Sequence, residues 1–161
     1  MQQTFIQIKN SVLSFLVELK PDVTQQYLMS IGAAVGLSLS IALGGIDKMI
    51  WALVTLAAID YLTGMIAAFK TGNWDSNVGF RGIGKKVIIF AFVALANGVD
   101  CTLGDGHTFR QIIISAYGVN EAGSILENID KLGYGNIIPT SIRNGLSRLK
   151  EQSDAGKKVN L

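Results

Sequence analysis

Little in this sequence can hold a metal, a disulfide or a nucleic acid. Cys101 is the only cysteine, which rules out an internal disulfide and leaves too few thiolates for a metal site. His107 is the only histidine and cannot build a zinc site alone. A formal net charge of +2 is too small to point to a nucleic-acid partner. No metal and no cofactor is therefore expected. A cleaved leader is not expected either. The first apolar block starts near Tyr27, after a long polar lead. Ser40 and Ala42 mimic a cleavage site, but the apolar stretch before them is too long for a signal core.

Two catalytic patterns are present only in outline. Gly79-Phe80-Arg81-Gly82-Ile83-Gly84-Lys85 has the spacing of a phosphate-binding loop. Lys86, however, stands where a Ser or Thr must ligate magnesium, and a polar turn precedes the string instead of a buried strand. Asp60 and Asp100 suggest the paired carboxylates of an aspartyl protease. They fall near mid-span and near the outer end of different segments, so they cannot meet. No enzyme is expected.

What the chain does contain is apolar sequence in blocks. A soluble domain can be 49% hydrophobic, so the arrangement carries the argument, and blocks of this length mean membrane. The first block, 27–45, repeats Gly32, Gly36, Ser40 and Gly44 every four residues. Such a stripe of small side chains lets another helix approach closely in lipid. The second block, 49–69, is about as long as a helix needs to cross the hydrocarbon core. It carries Asp60 on one face with Ala57, Gly64 and Ala67, and the Thr63 hydroxyl lies within reach. A carboxylate at that depth belongs inside a bundle, away from lipid.

A glycine-rich, basic turn is expected over 70–86, with Arg81, Lys85 and Lys86 placing it in the cytoplasm. The third span, 87–103, has Asn97 and Asp100 on one face near its far end. The fourth, 109–126, is the most polar: Arg110 stands at its start, Asn120 and Glu121 lie inside it, and Tyr117, Glu121, Ser124 and Asn128 share a face. A segment this polar must insert against partners, border water or lie on the membrane surface. A span is favoured because the outer loop is brief and the sequence that follows is basic.

The ends of the chain are amphipathic. Phe5, Ile8, Val12, Leu16 and Leu19 recur at helical spacing until Pro21. That helix either packs on the protein's own cytoplasmic surface or lies in the membrane interface, and both readings stay open. A short helix is expected after Pro139, beginning at Thr140 or Ser141 and carrying Ile142, Leu146 and Leu149. The reading is an all-α integral membrane protein with four transmembrane helices in residues 27–130. An amphipathic segment, 1–26, precedes them and a basic cytoplasmic segment, 131–161, follows. An even number of spans puts both termini in the cytoplasm.

Three polar strings occur in order: Asp60-Tyr61-Leu62-Thr63-Gly64, then Ser76-Asn77-Val78-Gly79-Phe80-Arg81-Gly82 leading to Lys85-Lys86, then Asn120-Glu121-Ala122-Gly123-Ser124-Ile125-Leu126-Glu127-Asn128. Together they resemble the toxin-secretion and phage-lysis holin family, over roughly Trp51 to Leu149. The resemblance implies a small multi-pass protein of the host bacterial cytoplasmic membrane, whose partners are the lipid bilayer and further copies of itself. It implies that these copies gather and open timed lesions, through which an endolysin or a toxin escapes without needing stable contact. An antiholin is a further candidate partner. On that reading Asp60 and Glu121 pair with groups on neighbouring protomers before opening. A small regulated ion channel or transporter subunit is the alternative, since polar residues inside helices mark pathways. No inverted repeat is visible, which weakens the transporter version.

Overall fold

A computed structural model describes residues 2–18, 21–104 and 106–158. Among these residues all regular structure is helical: α1 (Gln2–Glu18), α2 (Val23–Ala42), α3 (Lys48–Lys70), α4 (Ser76–Leu103), α5 (Thr108–Lys131) and α6 (Thr140–Lys158), with a 3-10 turn at Gly135–Ile137. The chain divides into two compact units, one up to Ile41 and one from Ala42 onward.

In the first unit, the amphipathic pattern falls on α1 except for Leu19, which lies outside the described residues. Asp22 starts α2. Its carboxylate accepts the Val23 N–H at 2.8 Å, its carbonyl accepts the Gln26 N–H, and Gln25 reaches back to accept the Asp22 N–H at 3.1 Å. This reciprocal cap satisfies donors that the helix itself cannot. Gly32 and Gly36 have open space around them, and Ser40 is half-buried. The helix ends at Ala42, so Gly44 is not part of its small-residue stripe. Gly44 sits in the turn beyond, with φ at +76°.

The second unit is built on α3, α4 and α5. Asp47 caps α3, its carboxylate accepting the Ile50 N–H at 3.0 Å. Asp75 caps α4 by accepting from the Asn77 backbone at 3.4 Å and its side-chain amide at 3.0 Å. That cap corrects the expected turn. The helix begins at Ser76, so Arg81, Lys85 and Lys86 are helical residues of α4 and not turn residues.

Helix α5 lies between α3 and α4, parallel to the first and antiparallel to the second, and α3 and α4 meet each other only sparsely. Its inward face carries Arg110, Ile114, Glu121 and Asn128, all buried. Ile114 completes an apolar core with Ile50 and Leu53 of α3 and Ile89 and Val93 of α4. The outward surfaces are apolar, as at Trp51, Leu62, Phe80, Val87 and Leu95. Charged groups buried beside an apolar core, under outer surfaces that are themselves apolar, depart from the arrangement of a water-soluble protein.

By length and composition two helices, α3 and α4, can cross a membrane, with only 17% and 28% of their most apolar stretches buried. The four spans expected from the sequence are thus reduced to two by this measure, among the described residues. Thr24, Gln25 and Gln26 dilute the start of α2. Helix α5 carries Arg110, Glu121, Glu127, Asp130 and Lys131.

The end of the bundle away from Lys70 is closed by Arg110 and Asp100, 2% and 1% exposed. The Asp100 carboxylate accepts the Phe109 and Arg110 N–H groups at 2.9 and 2.8 Å, capping α5 from across the bundle. His107, the residue before α5, makes no side-chain cap of its own. Arg110 spreads its guanidinium over the turn before α3. It donates to the Leu43 carbonyl at 2.5 Å, the Gly45 carbonyl at 3.1 Å and the Asp47 carboxylate at 2.7 Å. Asn97 donates to the Ala42 carbonyl at 3.1 Å.

A Cβ on Gly44 would overlap the Asn97 amide and touch the Arg110 side chain, in a backbone conformation that L side chains rarely adopt. Gly44→Ala should therefore cost about 1–3 kcal/mol, read as a lowered melting temperature in detergent. Arg110 also holds the Asp47 carboxyl at about 2, down from 3.8. A lowered carboxyl stabilises the fold above its ordinary value and loses that contribution as the pH falls through the lowered one. Asp47→Asn should flatten, but not abolish, the loss of stability between those two values. Asp75 and Asp130 are lowered too, by hydrogen bonds from Asn77 and Arg143. Thermal melting at a series of acidic pH values checks this.

Candidate functional site

Three ionisable side chains converge between α3, α4 and α5, each ten residues from the same end of the bundle. Asp60 precedes Lys70 by ten, Lys86 follows Ser76 by ten and Glu121 precedes Lys131 by ten. At the helical rise, all three lie about 15 Å inside that end. The Lys86 ammonium donates to Asp60 Oδ2 at 2.5 Å and also to Glu121 Oε2. Glu121 is 2% exposed, and the Asp60 and Lys86 side chains are 13% and 14% exposed.

Asn128, two turns along α5, extends the cluster. Its amide donates to Asp60 Oδ1 at 3.1 Å, to the Asp60 carbonyl at 3.3 Å and to Thr63 Oγ1 at 3.3 Å. The Thr63 hydroxyl in turn donates to the Ile59 carbonyl at 2.8 Å. Gly64 leaves room for Asn128, whose amide would lie 3.4 Å from a Cβ there. The inward face of α3 thus runs Ile50, Leu53, Ala57, Asp60, Gly64 and Ala67.

Beside the cluster a groove of about 700 Å³ runs towards the Lys70 end, where the Thr71–Asn73 turn forms its rim. Ser124 lines it, and Asn120 is half-buried on the adjacent face of α5. At that end Lys70 donates to the Leu132 carbonyl and stands 5.4 Å from the centre of the Tyr134 ring. Arg143 of α6 forms a two-pronged pair with Asp130, at 2.7 and 2.8 Å.

Asp60, Thr63, Gly64, Glu121 and Ser124 are thus brought together, whereas Asn97 and Asp100 serve the opposite end. Arg81 and Lys85 are exposed on α4. Asp60 and Glu121 share Lys86 as a partner within their own chain. Among the described residues no group of His, Cys, Asp and Glu could hold a metal ion. Closed, the cluster lets two carboxylates and an ammonium sit among apolar surroundings; parted, the same helix faces would be wettable.

Sequence reasoning missed Lys86 and Arg110 as interior residues. For Lys86 a signal existed: Asp75-Ser76-Asn77 is a helix start, and counting from it puts Lys86 level with Asp60. For Arg110, nothing nearby in sequence announces the carbonyls of a turn more than sixty residues earlier.

The sequence model of the bacteriophage holin family matches residues 38–151. An uncharacterised protein of Halalkalibacterium halodurans is 42% identical over 103 residues, 61% of this chain and 75% of that protein. One of Listeria monocytogenes is 39% identical over 90 residues, 56% of this chain; the match spans just under two thirds of the relative, 64%. A probable holin of Bacillus phage phi105 is 30% identical over 102 residues, 63% of this chain and 74% of the phage protein. No solved structure matches.

Removing the shared cation would leave two carboxylates facing each other in a closed interior. Lys86→Met should destabilise the protein by about 3–5 kcal/mol. Glu121→Gln should cost less, because Lys86 keeps Asp60. Melting of the two variants in one detergent ranks them.

Proposed function

The chain belongs to the bacteriophage holin family, and from this we propose that it gathers in the cytoplasmic membrane of a bacterial host and opens timed lesions. An endolysin, or a toxin, passes through them. The family permeabilises membranes and is not enzymatic. One observation carries the reading: an ion cluster is buried among helices whose outer surfaces are apolar. Such a molecule is stable in lipid as a closed unit and holds a wettable face in reserve.

Helix α5 enters the bilayer with α3 and α4 on this reading, since its charges are either turned inward or gathered near its ends. The end bearing Lys70, Arg81, Lys85, Lys131 and Arg143 faces the cytoplasm by the positive-inside rule. Helix α6 and the carboxy terminus then lie on the cytoplasmic side. Copies associate through the apolar outer faces, and parting of α5 from α3 and α4 turns Asp60, Lys86 and Glu121 towards water.

Expression in bacteria with a co-expressed muralytic enzyme tests this. Growth should stop abruptly after a delay and the enzyme should reach the wall. Lys86→Met, which weakens the closed unit, should change the delay. Depolarisation without any passage of enzyme would replace the holin reading with that of a small ion channel.

A further inference from the structure

We propose that the groove between α3, α4 and α5 binds the phosphodiester headgroup of an anionic phospholipid. Residues of all three helices line the groove, and beside it Tyr61 of α3 packs on Gly79 and Gly82 of α4. Its volume of about 700 Å³ is that of a small-molecule site.

Charge decides what it takes. Five charged side chains line it, Asp60 and Lys86 among them, and three of the five are already committed. Lys86 serves Asp60 and Glu121, and Glu127 is paired with Lys150 at 3.3 Å; Lys70, outside the lining, is held by the Leu132 carbonyl. Lys85 and Lys131 also line the groove, are exposed, and enter no ion pair among the described residues. Two uncommitted ammoniums from different helices, with the amide of Asn73 and the hydroxyl of Ser124 also in the lining, suit a phosphate.

Surroundings decide that the phosphate is a lipid's. Met65 and Val78 give the same groove an apolar wall for the start of an acyl chain. The level is right as well. Phe69 and Trp74 stack with ring centres 4.1 Å apart at this end, and Tyr134 is exposed there, an aromatic belt of the kind found at the membrane interface. The inference rests on the membrane placement and not on lesion opening. A protein that bound lipid but released no enzyme would fail only the functional reading.

The full chain in phosphatidylcholine nanodiscs is titrated with phosphatidylglycerol, with retained lipid counted by native mass spectrometry and stability read by melting. Phosphatidylglycerol should be retained and raise the melting temperature, while added phosphatidylcholine and free glycerol phosphate should do neither. Lys85→Gln and Lys131→Gln should each weaken retention about fivefold, and Arg148→Gln, outside the groove, should leave it unchanged. Melting in phosphatidylcholine alone shows whether each variant keeps its fold, and Lys85→Arg with Lys131→Arg should restore binding. Equal retention of phosphatidylcholine would overturn the proposal, as would full retention by the glutamine variants. An equal loss in Arg148→Gln, or a response to glycerol phosphate alone, would also overturn it.

Discussion

A lysine shared by two carboxylates, inside helices that are apolar outside, constrains everything else in this bundle. Lys86 cannot move outward without leaving Asp60 and Glu121 uncompensated, and neither acid can turn to lipid without a heavy desolvation penalty. Three helices must therefore keep one rotation about their own axes. Lys86 ties α4 directly to Asp60 of α3, and α5, which packs on both helices, fixes that pair through Glu121 and Asn128. The apolar contacts of Ile50, Leu53, Ile89, Val93 and Ile114 fill the space on one side of that fixed level.

The two ends of α5 are held by different chemistry. At its start, the Asp100 carboxylate takes the first backbone donors while Arg110 gathers the carbonyls of the turn before α3. At its finish, the Lys70 ammonium takes the Leu132 carbonyl. Each end of a helix leaves backbone groups that must find partners, and in apolar surroundings water is not there to supply them. Side chains from other helices do so here, which ties the termini of α5 into the bundle.

Much of this was legible in the sequence. The apolar runs of α3 and α4 announce themselves by length, and the shared face of Tyr117, Glu121, Ser124 and Asn128 is plain from helical spacing alone. That such a face must be hidden followed from the cost of polar groups in lipid. Its partner did not. Reading 70–86 as one basic turn made Lys86 a surface residue, because glycines at 79, 82 and 84 argued against a helix that the Asp75 cap in fact begins. Gly44 was misassigned for a related reason: a four-residue repeat looks the same whether its last member is helical or just beyond the helix. Arg110 was beyond reach, since its partners come from distant sequence and are backbone atoms without any side-chain signature.

Ile114, Glu121 and Asn128 are spaced seven apart on α5. Adding or deleting one residue between them would turn the remainder of the helix by about 100° and swing a carboxylate or an amide into the hydrocarbon. Exchanging one outward-facing side chain for another leaves that geometry untouched. Helix α5 thus tolerates exchange on its outer face, while its inner face fixes both the identity of its side chains and the number of residues between them.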